Sequence, residues 1–196
     1  RRFRNPFRSN ARYDRATYDF GHDLPATNTA GGQNYGASRN GGARKHAGTD
    51  FDTTADHNAF ASQLGGTVVF AGNVGGDENG ARGYGNVVDI YNAELGRIER
   101  IAEGGEIHVK TGDQVNPGDI VMSGEDIQPD GLPRTGVIHY EIRKPQQDMS
   151  DPSTYEYSKH VGFSGTEDPL RFLKKHTKHN ADGLPKNLEV DPVGDA

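Results

Sequence analysis

Short β-branched apolar runs separated by glycine make up the middle of the chain. Between Tyr35 and Arg143 these runs hold four to seven residues. Runs of this length and composition, bounded by turn residues, predict short strands. The predicted strands are 66–71, 86–91, 97–102, 106–110, 119–122 and 137–143. Their spacing predicts a mainly β fold, a small antiparallel β-sheet arranged like a barrel-sandwich.

One helix is predicted near the C-terminal end, over 168–176. Asp168 is a good helix N-cap, Pro169 suits the first helical position, and Leu170 with Leu173 begins an apolar stripe. Two stretches rich in glycine or proline predict connecting loops, namely 73–85 and 125–136.

Composition limits the chain to one compact domain with polar flanks. Only 32% of the 196 residues are hydrophobic and none is Trp, so the predicted core is small. The 27 glycines favour turns and short strands over long helices. The predicted organisation is an irregular basic arm (1–34), a domain (35–176) with a polar insertion (145–167), and a C-terminal tail (177–196).

Charge is unevenly distributed along the chain. The net charge is −6, but residues 1–15 carry six Arg against Asp14, so this stretch is +5 and the remainder is −11. A basic arm can bind nucleic acid or a cell-wall polyanion. Packing of the arm on a neighbouring subunit or domain is the commoner role of such tails. We therefore predict no nucleic-acid partner.

The absence of cysteine excludes disulfides, thiolate zinc sites and a cysteine nucleophile. No apolar run approaches the ~20 residues that cross a bilayer, so no membrane span is predicted. The chain opens with Arg and shows no signal peptide, which predicts a fragment or a processed product.

Two short motifs supply candidate metal ligands. His46-Ala-Gly-Thr-Asp50 carries a histidine and a carboxylate, and its glycine and threonines favour an extended segment or turn over a helix. In Val137-Ile-His139-Tyr-Glu141-Ile, a strand places Val137, His139 and Glu141 on the face opposite the apolar one. Two imidazoles and one carboxylate leave a fourth tetrahedral position open, as in catalytic zinc sites.

Most other histidines are predicted to be surface residues. His139 by itself also fits a packed histidine, since apolar residues flank it. The histidines expected to be exposed are His22, His57, His108, His160, His176 and His179.

These motifs, in this order, resemble the lysostaphin-type peptidoglycan endopeptidases. The resemblance covers Tyr35–Arg143 and resumes at Asp168. It includes the His-x-Gly-x-Asp motif, the strands beginning at Gly66 and Gly83, the turn 109–120 and the final ligand strand. The resemblance implies Zn²⁺ held by His46, Asp50 and His139, cleavage of peptide cross-links in bacterial peptidoglycan, and an extracytoplasmic location at the cell wall or in the periplasm.

The sequence departs from this family at two active-site histidines. The family ends in a His-x-His pair, but Val137 stands where the first, helper histidine belongs. A Tyr-x-His element precedes the Gly-Asp turn in the family, whereas here Ile101-Ala-Glu103 occupies that place. Glu103 is therefore the predicted general base, since a carboxylate has this role in other zinc peptidases.

Two alternatives follow from the same residues. In the first, the domain is catalytically degenerate and serves as a zinc-binding structural or wall-binding module in a phage tail or baseplate, together with other virion subunits. In the second, Gly112-Asp-Gln-Val-Asn-Pro-Gly-Asp-Ile120 resembles the turn of biotinyl or lipoyl carrier domains. Those domains need a lysine at the tip of a hairpin, and none stands here.

Overall fold

The computed structural model describes residues 34–53, 59–75, 83–124 and 136–177. These residues form short strands, single 3-10 turns and one α-helix, α1 (Pro169–Thr177). The strands are β1 (Ser38–Arg39), β2 (Arg44–Lys45), β3 (Thr49–Thr53), β4 (Ala59–Ala61), β5 (Gly66–Asn73), β6 (Asn86–Asn92), β7 (Arg97–Ala102), β8 (Glu106–Ile107), β9 (Gln114–Val115), β10 (Ile120–Ser123), β11 (Gly136–Arg143) and β12 (Thr166–Glu167).

The prediction of a mainly β, antiparallel fold with a C-terminal helix is confirmed. Each predicted strand is present, although the one predicted over 106–110 is shorter and ends at Ile107. Asp168 caps α1 as expected, because its side chain accepts a hydrogen bond from the Arg171 amide. The predicted arm before Asn34, the tail after Thr177 and most of both predicted loops lie outside the described residues.

The main sheet is antiparallel and follows the strand order β12-β11-β7-β6-β5-β9. One edge of β11 has two partners. Its residues 136–140 pair with β3, and its last two residues pair with β12. A second sheet has the order β4-β10-β8, and β1 pairs with β2 in a small hairpin. Because β11 lies between β7 and β3, residues from three separate parts of the sequence meet on it.

The hydrophobic core lies on one face of the main sheet. Alternate residues of β6, β7 and β11 point into it, and the second sheet and α1 supply the facing side chains. Its central members are Phe60, Val88, Ile90, Ile101, Met122, Ile138, Tyr140, Ile142 and Leu173. This small core agrees with the low hydrophobic content of the sequence.

The other face of the main sheet carries charged side chains and is covered by residues 145–165, here called the strap. Arg100 on β7 donates to the carbonyl of His160, and Arg143 on β11 donates to the carbonyl of Gly162. Two 3-10 turns, Pro152–Thr154 and Tyr157–His160, shape the strap. The polar insertion of the sequence thus packs on the sheet.

The prediction that His160 is exposed is wrong. Its side chain is fully buried, stacks on Tyr155 and donates from Nδ1 to the carbonyl of Glu156 at 2.9 Å. Its Nε2 accepts from the amide of Gln146, so the neutral ring is held on both sides. His108 is exposed, as predicted. His22, His57 and His179, with the side chain of His176, lie outside the described residues.

Candidate metal centre

Strand register places the predicted ligands next to one another. In the pairing of β3 with β11, Asp50 lies directly opposite His139. His46 follows the β1–β2 hairpin, and the chain bends at Gly48 before β3 begins. The segment from His46 to Asp50 is extended, as its glycine and threonine predicted. Cross-strand neighbours are close enough for direct side-chain contact.

Three ligand atoms converge at one point. Nε2 of His46 lies 3.0 Å from Nδ1 of His139, and Oδ1 of Asp50 lies 2.9 Å from that nitrogen and 3.0 Å from the His46 nitrogen. All three residues are buried. Ligand atoms on a tetrahedral zinc shell are separated by about 3.3 Å, which follows from metal–ligand distances of about 2.0–2.1 Å. The geometry fits a small divalent cation.

Hydrogen bonds fix which ring nitrogen of each histidine faces the centre. Nδ1 of His46 donates to the carbonyl of Asn34 at 3.0 Å, which leaves Nε2 with a lone pair. Nε2 of His139 donates to Oε1 of Glu141 at 2.8 Å, which leaves Nδ1 with a lone pair. A metal-binding histidine usually donates its second N–H to a carbonyl or carboxylate in this way.

The electrostatics of the cluster favour a cation. Burial alone raises the pKa of Asp50, but its contacts with the His139 and His46 rings hold it well below its usual range. Burial alone lowers the pKa of His139, but hydrogen bonds to Asp50 and Glu141 raise it to about 9. The second oxygen of Asp50 accepts from Arg39 at 2.8 Å. The cluster therefore binds positive charge, whether as a proton or as a metal ion.

The glycine of the ligand motif is required by close packing. A Cβ at Gly48 would lie 2.2 Å from the carbonyl oxygen of Tyr140, and 2.9 Å from both Cγ of Glu141 and Nε2 of His139. Any larger residue would push β11 away from the His46–Asp50 segment.

We expect Gly48→Ala to destabilise the domain by roughly 1–3 kcal/mol, the usual cost of overpacking, and to weaken metal binding. Urea unfolding and zinc content per chain measure the two effects. Gly72→Ala is the matched control, because its Cβ would meet only the Phe70 ring at 3.6 Å. Equal zinc content and stability in both variants would contradict this account of Gly48.

Glu103 lies on the wall of the same cleft. It directly follows Ala102, which pairs with His139 across β7 and β11. Its backbone is left-handed, with φ of 69°, and its amide donates to the carbonyls of Tyr84 and Asn86. Desolvation in the cleft and the charge of Asp50 raise the pKa of Glu103. The residue is exposed, so its carboxylate is open to a substrate.

A cleft of about 1060 Å³ surrounds the three ligands and Glu103. The β1–β2 side carries cations, namely Arg39, Arg44 and Lys45, and Phe163 of the strap lies beside them. The opposite wall is glycine-rich and includes Gly83, Gly85, Gly104 and Gly105. Val137 is half-buried and pairs with Asp52. This pair lies two residues along β11 from the pair formed by His139 and Asp50.

The family model described as Peptidase family M23 matches residues 44–152, which is more than half of the chain. The chain belongs to peptidase family M23. This family comprises zinc-dependent peptidases, and His46, Asp50 and His139 are the described residues that form a possible metal-binding group. The turn over 112–120, which resembles that of biotinyl or lipoyl carrier domains, lies inside the region matched by the M23 model. The carrier interpretation therefore gains no support.

Several solved structures are similar to the chain. The solution structure of lysostaphin is 20% identical, with a TM-score of 0.50 over 80% of this chain and 56% of that one. The catalytic domain of lysostaphin from Staphylococcus simulans is 22% identical, with a TM-score of 0.47 over 72% and 89%. SpoIIQ–SpoIIIAH, described as a pore-forming complex, gives 22% identity and a TM-score of 0.42 over 65% of each chain.

The chain therefore spans less than two thirds of the matched chain in the lysostaphin solution structure and in the SpoIIQ–SpoIIIAH complex. No curated protein sequence matches the chain. Among the described residues, no helix is long and apolar enough to cross a membrane.

Several residues around the M23 centre were not predicted from sequence as site residues. They are Arg39, Tyr84, Asp89, Arg100 and Arg143. A signal is present for Asp89, which is the one charged residue of β6. Arg100 and Arg143 stand in strands that also hold other charged residues, so the sequence gives no comparable signal for them. Only the fold shows which of these charges meet.

Proposed function

We propose that the chain is a zinc-dependent endopeptidase that cuts peptide cross-links of bacterial peptidoglycan. The observation that carries the proposal is the convergence of His46, Asp50 and His139 on one point in an M23 domain. These three residues would hold Zn²⁺ and leave a tetrahedral position open towards the cleft. When bound, zinc supplies Lewis acidity, which polarises a scissile carbonyl and lowers the pKa of water.

Glu103 is the proposed general base. Its carboxylate lies in the cleft and would accept a proton from the attacking water, then return it to the leaving amine. A raised pKa suits this exchange, because a base with a pKa nearer the working pH both takes and gives up a proton readily. Glu103 thus supplies the acid–base function that the missing family histidines would provide.

The cleft provides room for an extended peptide next to the centre. Its glycine-rich lining carries no side chains and so leaves space for a substrate main chain. The cationic wall on the β1–β2 side would face the carboxylates of peptidoglycan peptides. We propose an extracytoplasmic place of action, at the cell wall or in the periplasm, because that is where the substrate lies.

The test is digestion of purified peptidoglycan of several wall types by the zinc-loaded protein, with the released peptides identified by mass spectrometry. We expect new peptide termini from at least one wall type and about one zinc per chain. Full zinc occupancy without cleavage of any wall type would overturn the enzyme proposal. It would favour the degenerate module instead, and the same sample would then be tested for sedimentation with peptidoglycan.

A virion tail or baseplate is the second setting we propose for this activity. The motivation is the basic arm, in which six arginines in the first fifteen residues suit packing on a neighbouring subunit. Detection of the chain in purified virions by mass spectrometry would support this setting. Recovery from the cell-wall fraction alone would contradict it.

A further inference from the structure

A row of buried charges crosses three strands beside the metal centre. Register places Asp89 on β6, Arg100 on β7 and Glu141 on β11 opposite one another. These side chains and that of Arg143 are fully buried. Burying charges is costly even when they are paired, and apolar residues of similar size are often as stable. A contribution to stability alone therefore does not explain why these four charged residues are buried here.

Glu141 connects this row to the metal centre. Its Oε1 accepts from Nε2 of His139 at 2.8 Å and from the hydroxyl of Tyr84 at 2.6 Å. Its Oε2 accepts from Arg143 and lies 3.6 Å from Nη1 of Arg100. Both oxygens are engaged, so the carboxylate has one orientation.

The arginines in turn connect Glu141 to the strap. Arg100 donates to the carbonyl of His160 at 2.8 Å, and Arg143 donates to the carbonyls of Gly162 and Ser164 at 2.8 and 3.1 Å. Asp89 pairs with Arg100 through two bonds of 2.7 Å.

Aromatic side chains of the strap complete the enclosure. Tyr155 donates to Asp89 at 2.5 Å, and the ring of Tyr157 lies 4.7 Å from the guanidinium carbon of Arg100. The strap thus shields the charged row from water, which strengthens every charge interaction within it.

We propose that Glu141 is a positioning residue that orients His139 and makes it a stronger zinc ligand. The inference rests on the proposed function, since it assigns a role toward the metal of that site. An ionised carboxylate that accepts the second N–H of a ligand histidine fixes the ring and raises the basicity of the nitrogen facing the metal. The buried arginines hold the Glu141 carboxylate in place, and the strap keeps water from competing for it.

Zinc affinity tests this role without reference to catalysis. We expect Glu141→Gln to weaken zinc binding about 10–100-fold, measured by competition with a chromogenic chelator. The absorption bands of the Co²⁺-substituted protein should shift as well, because the His139 ligand changes. The matched control is Glu99→Gln, which changes a fully buried carboxylate on the core face of the same sheet. Both variants are checked for folding by circular dichroism.

Glu141→Asp keeps the test decisive if Glu141→Gln does not fold. It retains the charge for the arginines but withdraws the carboxylate from His139 by one methylene, and we expect it to weaken zinc binding to a similar degree. A folded Glu141 variant that binds zinc within about twofold of the parent would overturn the inference, as would an equal loss in Glu99→Gln. A parent protein without zinc affinity would instead refute the proposed function.

Discussion

His139→Ala abolishes zinc binding and peptidoglycan cleavage together. The variant loses one of three protein ligands and leaves Asp50 and Glu141 without the imidazole that lies between them. A catalytic zinc site needs three protein ligands to hold the ion and keep one position open. We expect zinc content to fall from about one per chain to near zero, measured by atomic absorption after dialysis, and cleavage to fall below detection.

The control for this variant is His108→Ala, which removes an exposed histidine outside the cleft. It should keep both zinc and activity. Stability also needs to be measured, because His139 is buried and its loss leaves two carboxylates close to one another. If folded His139→Ala retained stoichiometric zinc, the assignment of His46, Asp50 and His139 as the ligand set would be wrong.

Glu103→Gln reduces kcat by about 10²–10⁴-fold, the usual cost of losing a general acid–base group. The amide is nearly the same size as the carboxylate but cannot accept the proton of the attacking water. Zinc content should stay at the parent level, since Glu103 is not among the ligands. Steady-state cleavage of a peptidoglycan-derived peptide, combined with zinc analysis of the same sample, measures both quantities.

Glu106→Gln is the matched control, because Glu106 is exposed, lies three residues away and does not line the cleft. Its kcat should match that of the parent. Unchanged cleavage by Glu103→Gln would mean that another group takes the proton. Loss of cleavage together with loss of zinc would instead place Glu103 in the structure of the centre.

The two departures from the family pattern have different consequences in the structure. Val137 pairs with Asp52 beyond the ligands and supplies no polar group to the cleft. Glu103 lines the cleft and has a left-handed backbone conformation directly after β7. Because we propose this carboxylate as the general base, its substitution gives the sharpest test of activity.

The two buried carboxylates of the main sheet illustrate how fold decides function. Glu99 points into the core, where it accepts hydrogen bonds from Ser62, Gln63, Leu64 and Tyr140. Glu141 points to the opposite face, where it holds His139. Both are glutamates in short strands, and the register of β7 with β11 places them on opposite faces of the sheet. Only Glu141 can therefore act on the metal.

Much of the fold was predictable from local pattern. Runs rich in β-branched residues identified the strands predicted over 66–71, 86–91 and 137–143, and Asp168 with Pro169 identified the start of α1. Most of the two-residue strands were not predicted, because pairs such as β1 and β9 are too short to stand out as a run. β3 was also missed, since its Thr-Asp-Phe-Asp-Thr sequence holds a single apolar residue.

The sequence by itself determined the chemical identity of the candidate ligands and the strands that carry them. Residue type and alternation are local properties, and an imidazole or a carboxylate has its chemistry wherever it lies. Only the tertiary structure decided that Asp50 faces His139 across 89 residues of sequence, and that Glu141 meets two arginines beneath the strap. Those contacts depend on strand register and on the path of residues 145–165. No local pattern encodes them, because they arise from the packing of segments distant in the chain.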